Sequence, residues 1–109
     1  MAIFVSDLDE AIHLWHDVMG FKLILRKLLP DGPKASPKTY IYPELLDDIF
    51  KVKGALSEMA ILRSTEGALI ELQHCKVPAI KKTDPETLRY GHTGFHELGL
   101  LVENIDSFF

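Results

Sequence analysis

Met1-Ala2-Ile3-Phe4-Val5-Ser6-Asp7-Leu8-Asp9 returns near the other end of the chain as Leu98-Gly99-Leu100-Leu101-Val102-Glu103-Asn104-Ile105-Asp106. The offset is a constant 97. Val5 pairs with Val102, Asp9 with Asp106, Leu8 with Ile105, Ala2 with Gly99 and Asp7 with Asn104, each keeping its size and polarity class. The shared unit is strand, cap and helix start. Any strand-to-helix junction carries similar cap chemistry, but nine positions matching in one frame favour a duplicated βαβββ module.

Working outward from Met1-Ala2-Ile3-Phe4-Val5, this apolar, β-forming run is too short for a helix and reads as a strand. Ser6 stands where a helix cap is expected, with Asp9 in the capping-box position. Leu8, Ala11, Ile12, Trp15 and Met19 then recur at helical spacing, which predicts a helix over 7–19. Gly20 stops it. Phe21, Leu23 and Leu25 alternate with Lys22, Ile24 and Arg26, so residues 21–28 read as a strand buried mainly on one face. Pro30-Asp31-Gly32-Pro33 ends it and opens a long excursion over 29–54. Within that excursion Pro43 starts a short helix over 44–50. Residues 56–63 and 68–74, joined by Thr65-Glu66-Gly67, read as a hairpin. Residues 76–95 read as a loop or linker, 96–102 as a last strand, and Asn104 as the start of another helix.

The chain has 109 residues, 12 Lys plus Arg against 16 Asp plus Glu, a net charge of −4, 47% apolar residues and one cysteine. That apolar fraction is too high for a disordered chain. A single cysteine excludes an intramolecular disulfide framework. No run approaches the roughly 20 apolar residues of a membrane span, and no signal peptide opens the chain. Mild acidity argues against a nucleic-acid binder. The expectation is a cytoplasmic globular protein.

Val5-Ser6-Asp7-Leu8-Asp9-Glu10-Ala11-Ile12, with Trp15 and then Val18-Met19-Gly20-Phe21, resembles the opening module of the vicinal oxygen chelate superfamily. That group includes glyoxalase I, methylmalonyl-CoA epimerase, extradiol dioxygenases and the bleomycin and fosfomycin resistance proteins. Ala68-Leu69-Ile70-Glu71-Leu72 resembles its "I-E-L" strand, and Gly94-Phe95-His96-Glu97-Leu98-Gly99-Leu100-Leu101-Val102 the start of its second module. The resemblance implies an α+β fold of paired βαβββ modules forming an incomplete curved barrel around a metal site. The first module would span 1–75, the linker 76–95 and the truncated second module 96–109. Either the chain is part of a longer protein, or a partner chain completes the sheet.

In that superfamily the metal ligands come from the first and fourth strands of each module. The first-strand position lies five residues before the strand's terminal valine. From Val5 it falls before Met1; from Val102 it falls on Glu97, where histidine or glutamine is usual. Glu71 matches the fourth-strand position, and its counterpart in the second module lies beyond Phe109. A carboxylate can bind a hard or borderline cation. The resemblance therefore implies Glu71 and Glu97 as ligands of a divalent ion (Zn, Ni, Co, Mn or Fe), with Glu71 also the catalytic base.

The residues themselves leave alternatives. A mid-strand carboxylate such as Glu71 needs solvent or a partner. Alternation puts Glu71 on one face with Leu69 and Gln73, and Ile70 and Leu72 on the other. Glu97 is equally compatible with a plain surface carboxylate. His74 and His96 point away from the neighbouring glutamates unless a bulge intervenes. His13 and His16 read as solvated, Cys75 as an inert thiol, and His92 as a loop residue. The leading expectation is a metal-dependent lyase or isomerase acting on a small oxygen-rich substrate through enolate stabilisation. The alternative is a non-catalytic small-molecule binder of the bleomycin-resistance type, with an extradiol dioxygenase a weaker third. Pairing of modules within or between chains makes a homodimer the expected assembly.

Overall fold

A computed structural model describes residues 1–108; the expected end of the second module at Phe109 lies outside the described residues. The elements run β1 (Ala2–Phe4), α1 (Leu8–Ile12), a π-helical stretch (His13–Val18), β2 (Lys22–Leu29), α2 (Pro43–Phe50), β3 (Leu56–Arg63) and β4 (Leu69–Val77). A 3₁₀ turn (Pro85–Leu88) and α3 (Ile105–Phe108) follow. The first seven make one mixed sheet of order β1-β4-β3-β2 with flanking helices. β1 runs parallel to β4, and β4-β3 and β3-β2 are antiparallel. The sheet does not close on itself.

The helix after β1 is capped by Asp7, not by Ser6: the Asp7 carboxylate accepts from the Glu10 amide at 3.0 Å. Asp9, free of the capping role, accepts from Arg26 Nη1 at 2.7 Å, while Arg26 Nε donates to Glu58 at 3.0 Å. This side chain ties β2 to both α1 and β3. The expected single helix over 7–19 changes character at His13. There the Met19 amide reaches back five residues to the Leu14 carbonyl at 2.9 Å. The wider turn leaves Trp15 buried, edge-on to Phe21 with ring centroids 5.2 Å apart.

One side of the sheet packs on α1. Leu8, Trp15, Ala60, Leu62, Ile70 and Leu72 form that core. The other side is covered in part by the excursion between β2 and β3, where Leu29, Ile41, Leu46, Ala55 and Met59 form a second core. Strand β2 serves both. Leu23 stands opposite Leu62, but Leu25 stands opposite Ile61, with a register shift between them. Ile24 is the extra residue, so Leu23 joins the α1 side and Leu25 the α2 side. The expectation of a strand buried mainly on one face is corrected accordingly: a bulge changes which face an alternating pattern addresses.

Residues 96–102 form no strand. A strand exists through its ladder partner, and among the described residues no backbone hydrogen bond joins this segment to the sheet. Residues 95–98 lie beside β1, and 99–102 lie against Met19, Gly20 and the β3–β4 turn. Phe95 and Leu101 are fully exposed. No helix among the described residues is long and apolar enough to cross a membrane.

Candidate functional site

Strand register decides which side chains meet on the α2 side of the sheet. Glu71 stands opposite Ala2 on one neighbour and Ile61 on the other. Gln73 stands opposite Phe4 and Met59, and Cys75 opposite Ser57. By the period of two, these residues share one face. Lys27, opposite Met59, joins them from β2.

A mid-strand glutamate needs a partner, and Glu71 has one. Gln73 Nε2 donates to Glu71 Oε1 at 2.8 Å, and Ser57 Oγ donates to Gln73 Oε1 at 2.8 Å. Ser57 is 1% exposed and Gln73 9%. The hydroxyl sets the orientation of the amide. With its oxygen turned to the Ser57 proton, its NH₂ must face Glu71. Among the described residues Glu71 Oε2 takes no further hydrogen bond, so one oxygen is anchored and the other is available.

Glu71 opens on a hollow of about 380 Å³ lined by Met1, Ala2, Tyr40 and Ile61. Tyr40 is held there by a clamp in the excursion. The Asp31 carboxylate accepts from the Ile41 amide at 2.8 Å, the Tyr40 amide at 3.0 Å and Lys27 Nζ at 3.0 Å. Those two amides and the lysine lower the Asp31 pKa to about 2. Burial, and then the charge of Glu71, raise the Tyr40 phenol above its ordinary value, with Lys27 opposing. Tyr40 is 46% exposed, and a phenol is in any case a neutral donor at pH 7.

The second expected ligand sits elsewhere. Glu97 is exposed and accepts from the Tyr90 hydroxyl, an interaction that raises the Tyr90 pKa. It lines a groove of about 640 Å³ with Met1, Ala2 and Phe95. Glu97 and Glu71 thus border two different hollows that share Met1 and Ala2. A divalent ion takes at least four donors, and among the described residues no three His, Cys, Asp or Glu side chains converge on one point. Glu71 and Glu97 alone do not fit a complete metal centre.

Four of the five histidines have side-chain partners elsewhere. His74 Nδ1 lies 3.0 Å from the Val5 carbonyl, away from the Glu71 face as alternation requires. Both ring nitrogens of His96 lie within reach of carbonyl oxygens, those of Leu88 at 3.0 Å and His92 at 2.6 Å. His13 pairs with Asp17 at 2.6 Å, and His16 with the Phe21 carbonyl at 2.7 Å. Sequence reasoning put Gln73 on the right face without assigning it a role. It missed Ser57, Tyr40, Asp31 and Lys27 altogether. Gln73 was accessible from period two alone; Ser57 and Tyr40 needed the register of β3 on β4 and the path of the excursion.

No protein-family model matches the chain, and no curated protein does. Among solved structures it is similar to the crystal structure of a glyoxalase family protein from Bacillus cereus, with a TM-score of 0.76 and 22% identity. The match covers 99% of this chain and 64% of that one, so the chain spans less than two thirds of the length of the structure it matches. The mixed sheet with its flanking helices therefore resembles a glyoxalase-like module in fold.

Proposed function

We propose that this protein is a glyoxalase-like lyase or isomerase that binds a small oxygen-rich molecule in the hollow beside Glu71. Glu71 would act as the base. The observation that carries the reading is the buried Ser57–Gln73–Glu71 chain, which anchors one carboxylate oxygen and leaves the other open to a hollow. A base fixed in direction, with its proton acceptor free, suits removal of a proton from carbon next to a carbonyl and its return to the neighbouring atom. Tyr40, a phenol protonated at pH 7, offers a donor for the enolate oxygen formed between the two steps. Glu97, which borders the neighbouring groove, and a paired second module, within the chain or from a partner in a homodimer, would complete the surroundings of the hollow. A cytoplasmic location accords with this reading.

A second reading, a non-catalytic small-molecule binder, draws on the incomplete donor set around Glu71 and Glu97. One screen separates the two. Thermal shifts are recorded with small hydroxycarbonyl compounds, with and without Zn²⁺, Ni²⁺ or Mn²⁺, because a ligand of the native state raises its melting point. Compounds that bind are then incubated in D₂O and followed by NMR. Deuterium entering the carbon next to the carbonyl, and its loss in Glu71→Gln, is the expected result. Binding without exchange, unaffected by Glu71→Gln, would establish the binder instead.

A further inference from the structure

We propose that the far end of the same sheet face carries a second small-molecule site, selective for a carboxylate borne on an apolar body. Strand β4 runs past Gln73 to Cys75, and the chain then folds back over its end through Pro78 and residues 79–83. The result is a pocket of about 600 Å³. That volume lies within the range of small-ligand pockets, which are mostly apolar with a few placed polar groups.

Its walls are Phe4, Phe50, Cys75 and Leu88, and its charged lining residues are Lys81 and Lys82. The Phe4 and Phe50 rings meet at 5.8 Å and 53°, making an aromatic floor from β1 and α2. No acidic residue is among those lining the pocket, although the chain as a whole carries a net charge of −4. Among the described residues Lys81 and Lys82, like six other lysines and arginines, hold no carboxylate partner. Two adjacent cations lining an otherwise apolar pocket with no acidic residue suit an anion whose tail lies over the paired rings. The pocket is independent of the chemistry assigned to Glu71. Cys75 is four residues along β4 from Glu71, about 13 Å at the usual rise of a strand.

The test is a ¹⁵N-resolved NMR titration of the purified protein with two matched pairs, 4-phenylbutyrate against 4-phenylbutyramide and octanoate against octanamide. The expected result is chemical-shift change at residues 75–83 and Phe50, with the acids bound roughly fivefold more tightly than their amides, the size of an exposed charge contact. That preference should shrink in 0.5 M NaCl and vanish in a Lys81→Gln, Lys82→Gln double variant, which keeps the rest of the spectrum. The relative response of the phenyl and octyl acids tells an aryl from an alkyl body. Equal binding of acid and amide, an unchanged preference in the double variant, shifts confined to other regions, or no shifts at 20 mM ligand would each overturn the proposal. The readout takes nothing from Glu71, so failure of the deuterium-exchange experiment and failure of this one remain separate results.

Discussion

Gln73 Nε2 donates to Glu71 Oε1 across 2.8 Å between two side chains of one strand, and the donor is turned that way by Ser57. The contact couples stability to site geometry. Replacing Gln73 by Leu removes the donor to Glu71 and the principal acceptor of the Ser57 hydroxyl, which then has only the His74 carbonyl at 3.3 Å. A buried group deprived of its partner costs about 1–3 kcal/mol. Urea unfolding of Gln73→Leu should show a loss in that range. A change below about 0.5 kcal/mol, the level of a neutral surface substitution, would mean that the chain of hydrogen bonds contributes nothing.

The second core predicts the behaviour of α2. Leu46 is fully buried among Leu29, Ile41, Ala55 and Met59. Leu46→Ala should cost about 2–5 kcal/mol, the range for a large-to-small change in a packed core. Because α2 also carries Phe50 onto Phe4, the same variant should broaden or shift the NMR resonances of Phe4. An unperturbed Phe4 would show that α2 is held by other contacts.

Asp31 gives a pH dependence with a definite sign. The Ile41 amide first, then the Tyr40 amide and Lys27, lower its pKa from 3.8 to about 2. The unfolded chain therefore binds this proton more readily than the folded one. The stabilisation is complete above the unfolded value and disappears as pH falls through about 2. Denaturation midpoints measured from pH 5 to pH 2 should fall in the wild type and fall less in Asp31→Asn, which has no carboxylate to titrate there. Parallel curves for the two proteins would remove Asp31 from the account.

Deleting Ile24 tests the bulge. With Ile24 gone, Leu23 and Leu25 become consecutive and still stand opposite Leu62 and Ile61, so a regular ladder keeps Leu23 facing α1 and Leu25 facing α2. The residue removed is itself 46% exposed, so little burial goes with it. The deletion should therefore cost no more than about 1 kcal/mol in urea unfolding, the size of an ordinary point change; a sharp fall would show that the bulge itself holds β2 in place. Ile24→Val, which keeps the bulge and removes one methylene from an exposed side chain, should leave the midpoint nearly unaltered.

Local chemistry is legible where one residue type permits one conformation. The strand over 1–5, the Pro43 start of α2, and the hairpin through Thr65-Glu66-Gly67 all appear where composition and turn residues put them. Reading stops where a neighbour in space decides. Both Ser6 and Asp7 can cap a helix, and only the chain path at the end of β1 selects Asp7. Residues 96–102 have the apolar content of a strand, but a strand is defined by its partner, and the sheet offers this segment no ladder.

The site divides along the same line. Sequence alone determined that Glu71 is a carboxylate inside an apolar strand and that Gln73 shares its face, because side-chain direction in a strand has a fixed period of two. It also determined that His74 points away. Only the tertiary structure decided that Ser57 orients the amide of Gln73, that Asp31 brings Tyr40 to Glu71 from 31 residues away in the chain, and that Glu97 borders a different hollow. Those relations depend on register, on one inserted residue in β2 and on the route of a long excursion. No periodicity within a single segment records contacts between segments.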